Sequence, residues 1–267
     1  MLYLFSHLKE LRKKIEGRYL FLFLDFDGTL APIVKIPDKA IISREARNLL
    51  GLLAQKNNCK IAIISGRALP DIKKRLGLRN IIYSGNHGFQ IEGPRIKYKL
   101  PVSLVYRKTL QQIKGQLERE LYGVEGVSVE DKKFSLALHY RLAKKKCLKL
   151  IQAVFHEAVS MSLIKNKIRI RKGKKVLEVN PPANWDKGKA VLWLLASQQF
   201  ALKREAVLPV YIGDDVTDED AFRVLKRRGL TVFVGSPGNS AANYYLKNPK
   251  EVIKFLRLIS NLKNGRS

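Results

Sequence analysis

Cysteine is scarce in this chain. Cys59 and Cys147 are the two among 267 residues, far apart and without metal-type spacing. That argues against a disulfide framework and a zinc site, and makes a reducing cytoplasm the expected compartment. Acidic residues are also few, 23 against 51 lysines and arginines, for a net charge of +28 and a pI near 10.2. Such an imbalance implies an anionic partner: nucleic acid, membrane headgroups or a phosphorylated small molecule. Charge alone does not choose among them. Long apolar runs are missing too. The opening "MLYLF" is too short for a signal segment, and Tyr19 to Leu24 falls far short of the roughly 20 residues a membrane span needs. A soluble protein is expected, with neither internal repeats nor low-complexity segments. What is present is 46% hydrophobic residues, enough for a sizeable core in one large α/β domain or two modest ones.

Along the chain, short apolar runs alternate with amphipathic stretches. A first helix is expected over Leu4 to Ile15, followed by the strand "YLFLFLDF" from Tyr19. Then come a helix from Ser43 to Gln55, the strand "CKIAIISG", a helix from Leu69 to Leu76, and "NIIYSG". The pattern resumes late with a helix over Lys187 to Gln199, "VLPVYIGDD", a helix over Asp218 to Lys226, and "LTVFVGSPG". Four or more apolar residues in a row ending in Gly, Ser or Asp mark a parallel strand covered on both faces. Between about Gly93 and Pro182 the runs alternate polar and apolar instead, as in Phe134 to Leu142 and Lys165 to Val179. Period two points to half-exposed antiparallel strands, with helices over Ser103 to Tyr122 and Ala143 to Met161 on their other face. Pro101, Pro181 and Pro182 mark hinges. The expected fold class is α/β, a doubly wound, Rossmann-like parallel-sheet core (1–98 and 183–267) carrying an inserted α+β domain (99–182).

Ligands of open parallel sheets bind beyond the carboxyl ends of the strands. This chain places its polar residues there: Asp25 and Asp27, Ser65 to Arg67, Gly85 to His87, and Asp214 with Asp215. Alternation along an extended chain aims Asp25 and Asp27 to one side and Phe26 into the packing, and Gly28 allows a sharp turn. Three or four carboxylates converging on one crevice repel unless a hard cation with oxygen ligands lies among them, so a Mg²⁺ site is expected. Each segment has an ordinary alternative. Asp-Gly fits a turn, "SGR" a common loop, Lys187 an exposed first-turn lysine, and "GDDVTDED" an acid-rich helix start. All four would have to coincide.

"DFDGT" at Asp25, "SGR" at Ser65, Lys187 and "GDDVTDED" at Gly213 to Asp220 resemble, in that order, the four motifs of the haloacid dehalogenase superfamily of phosphotransferases. Within it, nearly the whole chain is similar to the trehalose-phosphate phosphatases. The resemblance extends through "GNHGFQIEG" (Gly85 to Gly93), "KKFSLALHYR" (Lys132 to Arg141), "GKKVLEVNPPANWDKGKAV" (Gly173 to Val191) and "AANYYLKNPKEVIKFL" (Ala241 to Leu256).

The resemblance implies Mg²⁺-dependent hydrolysis of trehalose 6-phosphate, the last step of trehalose synthesis. Asp25 would be the nucleophile, forming an aspartyl-phosphate. Asp27 would be the general acid and then the general base. It further implies that the metal is held by Asp25, the main chain of Asp27 and Asp214, with Asp215 and Asp218 supporting. Ser65 and Lys187 would bind the transferring phosphoryl oxygens. The inserted domain is implied to be a cap that closes over the core and contacts the sugar. Lys132, His139, Arg141 and Glu178 would face the substrate, and Gly66, Arg67, Asn86 and His87 complete the expected binding residues.

One position departs from the family pattern: many members have arginine where Asn180 follows Glu178 and Val179. Other readings stay open. They are a phosphatase for a different sugar phosphate, and a non-catalytic sensor docked on a trehalose-phosphate synthase. A basic nucleic-acid-binding protein is the third, disfavoured because no aromatics interleave the basic stretch. A monomer without membrane attachment is expected. In "KNKIRIRKGKK", Lys165, Lys167, Arg169 and Arg171 are expected to alternate onto one strand face, solvated or steering an anionic ligand.

Overall fold

The computed structural model describes residues 1–34, 36–202 and 207–262. They form two compact units, Met1–Lys99 with Trp185–Ser267, and Leu100–Asn184. In the first, β1 (Leu2–Tyr3), β2 (Tyr19–Leu24), β3 (Cys59–Ile64), β4 (Ile82–Gly85), β5 (Gln90–Gly93) and β6 (Ile96–Lys99) join three later strands. In the second, β7 (Ser128–Asp131), β8 (Leu136–His139), β9 (Arg169–Gly173) and β10 (Val176–Asn180) make their own sheet. The chain then returns to the first unit with β11 (Val207–Gly213), β12 (Leu230–Val234) and β13 (Tyr244–Leu246). The helices of the first unit are α1 (Leu8–Ile15), α2 (Arg44–Ala54), α3 (Leu69–Leu76), α6 (Lys187–Leu202), α7 (Glu219–Leu225) and α8 (Pro249–Leu262). The second unit holds α4 (Leu104–Glu120) and α5 (Leu148–Ile164).

The first sheet runs in the order β1-β13-β12-β11-β2-β3-β4-β5-β6, parallel from β1 to β4. Its central strand shows why the sequence reads as a buried parallel strand. Leu20, Leu22 and Leu24 pack in one core with residues of α1, α2, α3 and α8. Phe21 and Phe23 pack in the other core with residues of α6 and α7. Both faces of β2 are therefore dry, and neither could carry an alternating polar set. Local signals set the helix ends. Ser43 Oγ accepts from the Ala46 N–H at 3.1 Å and caps α2, and Gly77 closes α3 in the left-handed region.

Several expectations need correction. The core sheet is not wholly parallel: β5 runs antiparallel to β4, and β6 antiparallel to β5. The first helix is a 3₁₀ turn over Leu4–His7 followed by α1, and Ser103 caps α4 from outside it. The β1, β7 and β13 strands had no counterpart in the sequence reading.

The second unit is an antiparallel sheet, β7-β8-β10-β9. Leu136, Leu138, Ile168, Leu177 and Val179 pack with Leu110, Ile113, Ile151 and Phe155 of α4 and α5. Lys145–Ile164 is long and apolar enough to cross a membrane by length and composition, but Ile151, Val154, Phe155 and Val159 are buried in this core. The expected row of Lys165, Lys167, Arg169 and Arg171 on one strand does not form. Lys165 terminates α5, Asn166 turns the chain with φ of 51°, and β9 begins only at Arg169.

Candidate active site

Asp25 continues β2 by one step, its N–H donating to the Ile212 carbonyl of β11 at 2.9 Å. The end of β11 thus lies beside the end of β2, and Asp214 follows that end. Lys187 opens α6 and joins two acids. Its Nζ donates to Asp25 Oδ1 at 2.8 Å and to Asp218 Oδ1 at 2.7 Å. The lysine side chain is 2% exposed and that of Asp218 0%. Tyr211 of β11 donates its O–H to the same Asp218 oxygen at 2.6 Å. Asp218 Oδ2 accepts from the Asp214 and Asp215 N–H groups at 3.1 and 2.9 Å. Four donors therefore engage the Asp218 carboxylate.

One oxygen each of Asp25, Asp214 and Asp218 lie within 4.8 Å of one another, all buried. Burial pushes the Asp25 carboxyl well above the ordinary range. Lys187 opposes that shift, while Asp218 and Asp214 add to it. Burial works against the Lys187 ammonium, but the charges of Asp218 and Asp25 outweigh it and keep the lysine charged. The Tyr211 hydroxyl is pushed up by burial and then by Asp218, so it stays a donor. Three carboxylates against one ammonium form an all-oxygen set that a hard divalent cation such as Mg²⁺ fits. The turn at Gly28 makes the set possible: φ is +87°, and a Cβ there would lie 2.2 Å from Asp214 Oδ2.

Asp27 takes a different partner from Asp25. Arg67 grips it in a two-point fork, Nε to Oδ2 and Nη2 to Oδ1, both at 2.7 Å. The remaining arm, Nη1, donates to Asp71 Oδ2 at 2.9 Å. Arg67, one of the expected binding residues, thus orients Asp27. Burial disfavours the Arg67 charge, but its hydrogen bonds with Asp27 and Asp71 raise its affinity for the proton further. Ser65 follows the end of β3, its Oγ accepting from the Arg67 N–H at 3.2 Å. Two main-chain bonds tie that loop to the end of β4: Asn86 N–H to Arg67 O at 2.8 Å and His87 N–H to Ser65 O at 2.9 Å. Asn86 and His87 both occupy the left-handed region, uncommon for such residues. The Asn86 amide donates to Gln90 Oε1 at 3.2 Å. The His87 ring lies against Gly66, where a Cβ would come within 2.6 Å of it. Asp215 caps the turn into α7 through the Val216 N–H at 2.8 Å.

In the second unit the four predicted residues separate. Lys132 Nζ and Glu178 Oε1 form a buried pair at 2.8 Å, with 7% and 8% of their side chains exposed. His139 Nε2 lies 2.8 Å from Glu130 Oε2. Burial pushes the Glu130 carboxyl up, but its bond to His139 and the charge of Lys132 hold it below the ordinary range. Arg141 is exposed beyond the end of β8 and donates to the Lys174 carbonyl in the β9–β10 turn at 2.9 Å. The register pairs Glu178 with Ala137, four positions from Arg141, or about 13 Å along a strand.

Three participants were missed from the sequence. Tyr211 had a usable signal, since a hydroxyl in an otherwise apolar buried strand must find a partner. Asp71 stands four residues after Arg67 at the start of α3, a spacing that pairs side chains. Glu130 was hidden because β7 itself was not recognised.

A mostly parallel sheet wound on both faces, with acids and a lysine joined at its strand ends, is a fold also seen in haloacid dehalogenase-like hydrolases. One solved example, from Bacteroides thetaiotaomicron, shares the fold at a TM-score of 0.64 and 16% identity, over 91% of this chain and 100% of that one. Residues 23–250 match the Trehalose-phosphatase family, and the chain belongs to that family of phosphatases. It is similar to trehalose 6-phosphate phosphatase RA3 of Zea mays, 34% identical over 267 residues, which is 94% of this chain and 72% of that protein. It is also similar to the solved C-terminal domain of Candida albicans trehalose-6-phosphate phosphatase. There the TM-score is 0.82 and the identity 26%, over 97% of this chain and 98% of that one.

Proposed function

We propose that the chain hydrolyses trehalose 6-phosphate to trehalose and phosphate through a phosphoenzyme on Asp25. The observation that carries this reading is the buried bridge from Asp25 through Lys187 to Asp218. It presents one carboxylate with a fixed ammonium beside it, the arrangement needed to hold a phosphoryl group while an acid attacks it. A free Asp25 oxygen forms the bond to phosphorus as the bond to the sugar oxygen breaks, and Asp27 gives that oxygen its proton. Asp27 then takes a proton from the water that attacks phosphorus, and Asp25 is released with inorganic phosphate. The Arg67 fork holds the Asp27 carboxyl in place, and the proton transfer of the first step requires at least one of those two bonds to release. Ser65 and Lys187 hold the phosphoryl oxygens.

With Asp218 engaged by four donors, Asp25, Asp214 and the main-chain oxygen of Asp27 are the groups that would hold Mg²⁺. When bound, it offsets the charge of the phosphate and of Asp25. Lys132 and Glu178, paired in the second unit, are the residues assigned to the sugar.

Phosphate release from a panel of sugar phosphates, with Mg²⁺ and with chelator, tests the proposal. Trehalose 6-phosphate should be turned over fastest, and chelator should abolish the activity. Equal turnover of glucose 6-phosphate or sucrose 6-phosphate would sink the substrate assignment, and a fully active Asp25→Asn variant would sink the mechanism.

A further inference from the structure

The polar face of the second unit's sheet carries a side chain that the fold itself does not satisfy. Asn180 is the last residue of β10, paired in register with Arg169 of β9. It lies two residues from Glu178 and so on the same face of the strand. Its residue is 6% exposed, yet neither Nδ2 nor Oδ1 has a hydrogen-bond partner among the described residues. Buried amides are ordinarily paired, and one left unpaired loses its hydration without replacement. The groups around it are already committed. Lys132 and Glu178 hold each other, and Arg169 donates Nη1 to the Ala183 carbonyl at 3.2 Å.

The backbone at this position is held firmly. Pairing with β9 fixes one side, and Pro181 restricts Asn180 to extended conformations. A rigid, desolvated carboxamide beside a neutralised ion pair selects its ligand by chemistry. A phosphate oxygen only accepts, and would leave Oδ1 unmatched. A sugar hydroxyl both donates and accepts, so one or two hydroxyls would satisfy both ends of the amide.

We infer that Asn180 is a sugar-binding residue, its Nδ2 donating to and its Oδ1 accepting from hydroxyls of the substrate's sugar. This rests on the reading of the chain as a sugar-phosphate phosphatase. A hydrogen-bonding site that meets an unmatched partner discriminates strongly, because its own buried groups go unpaired. Nearly isosteric leucine removes both polar atoms and keeps the volume.

The test measures kcat/KM for trehalose 6-phosphate and for p-nitrophenyl phosphate, which has no sugar, in wild type, Asn180→Leu and Asn180→Ala. The ratio of the two should fall about 10- to 100-fold in both variants. The melting temperature of Asn180→Leu without ligand should equal or exceed that of wild type, because an unsatisfied buried amide has gone. Added trehalose should raise the melting temperature of wild type more than that of Asn180→Leu. A ratio within threefold of wild type overturns the assignment. So does a lowered melting temperature in Asn180→Leu, which would make the amide a structural partner. If wild type prefers another sugar phosphate, the substrate reading fails while the Asn180 assignment is judged by the same ratio with that substrate. If wild type hydrolyses no sugar phosphate, both fail.

Discussion

Lys187→Met removes one ammonium from the bridge between Asp25 and Asp218 and leaves an apolar stem of similar length. Asp25, Asp214 and Asp218 have oxygens within 4.8 Å of one another, so the variant retains a buried acidic cluster without its cation. Removing one partner of a buried pair costs about 3–5 kcal/mol. For a domain of this size each kcal/mol lowers the melting temperature by about 2–4 °C, so a fall of about 6–20 °C is expected. Turnover should fall by at least about 10²-fold, the scale for losing one donor to developing charge.

The same reasoning predicts a rescue. Adding Asp218→Asn removes one of the uncompensated charges. The asparagine carbonyl can keep both main-chain donors while its NH₂ faces Asp25. The double variant should melt above Lys187→Met yet remain inactive. A pH dependence follows as well. Lys187 opposes the rise of the Asp25 pKa, so without the lysine that value lies further above its unfolded one. The folded variant therefore binds more protons than the unfolded chain, and its stability must fall as pH rises. In wild type, Lys187 has a raised folded pKa, so its contribution is complete below about pH 10.4 and is lost only above it. Melting curves by circular dichroism from pH 5 to 8, with phosphate-release assays, read all of this. A single variant within about 2 °C of wild type, or a double variant no more stable than the single, would refute the electrostatic account.

Tyr211→Phe deletes the 2.6 Å donor to Asp218. It should cost about 1–3 kcal/mol, with a smaller loss of turnover than Lys187→Met; unchanged melting and kcat would show that the hydroxyl is idle. Gly28→Ala forces a side chain into the left-handed region at about 1–2 kcal/mol and drives its Cβ into Asp214. The Mg²⁺ concentration for half-maximal activity should rise, and an unaltered titration would separate Asp214 from the metal. Burial raises the Asp71 carboxyl, but bonds from Arg75 and Arg67 leave it below its ordinary value. Its stabilisation is therefore present above about pH 4 and lost as pH falls through the lower folded value. The gap in melting temperature between wild type and Asp71→Asn should be widest above that range and close below it. A gap that widens in acid would reverse the assignment.

The β2, β3 and β11 strands were legible because burial on both faces leaves a nearly continuous apolar run, and the acids at their ends stand out against it. Edge strands were not. The β1 and β13 strands have two and three residues, too few for a period to show. The β5–β6 hairpin alternates as the inserted segment does, though it completes the core sheet. By itself the sequence determined the order of the two units along the chain, the doubly wound core and the identity of Asp25, Lys187 and Asp214 as site candidates. Each depends on local periodicity or on a motif contiguous in the chain.

Which group meets which was decided only in three dimensions. Arg67 turned out to hold Asp27, and Tyr211 to complete the shell of Asp218. Arg141 stands apart from the Lys132–Glu178 pair, and Asn180 is buried without a partner. A side chain's partner depends on register across strands distant in sequence, and the charge or hydroxyl written in the chain carries no record of that register.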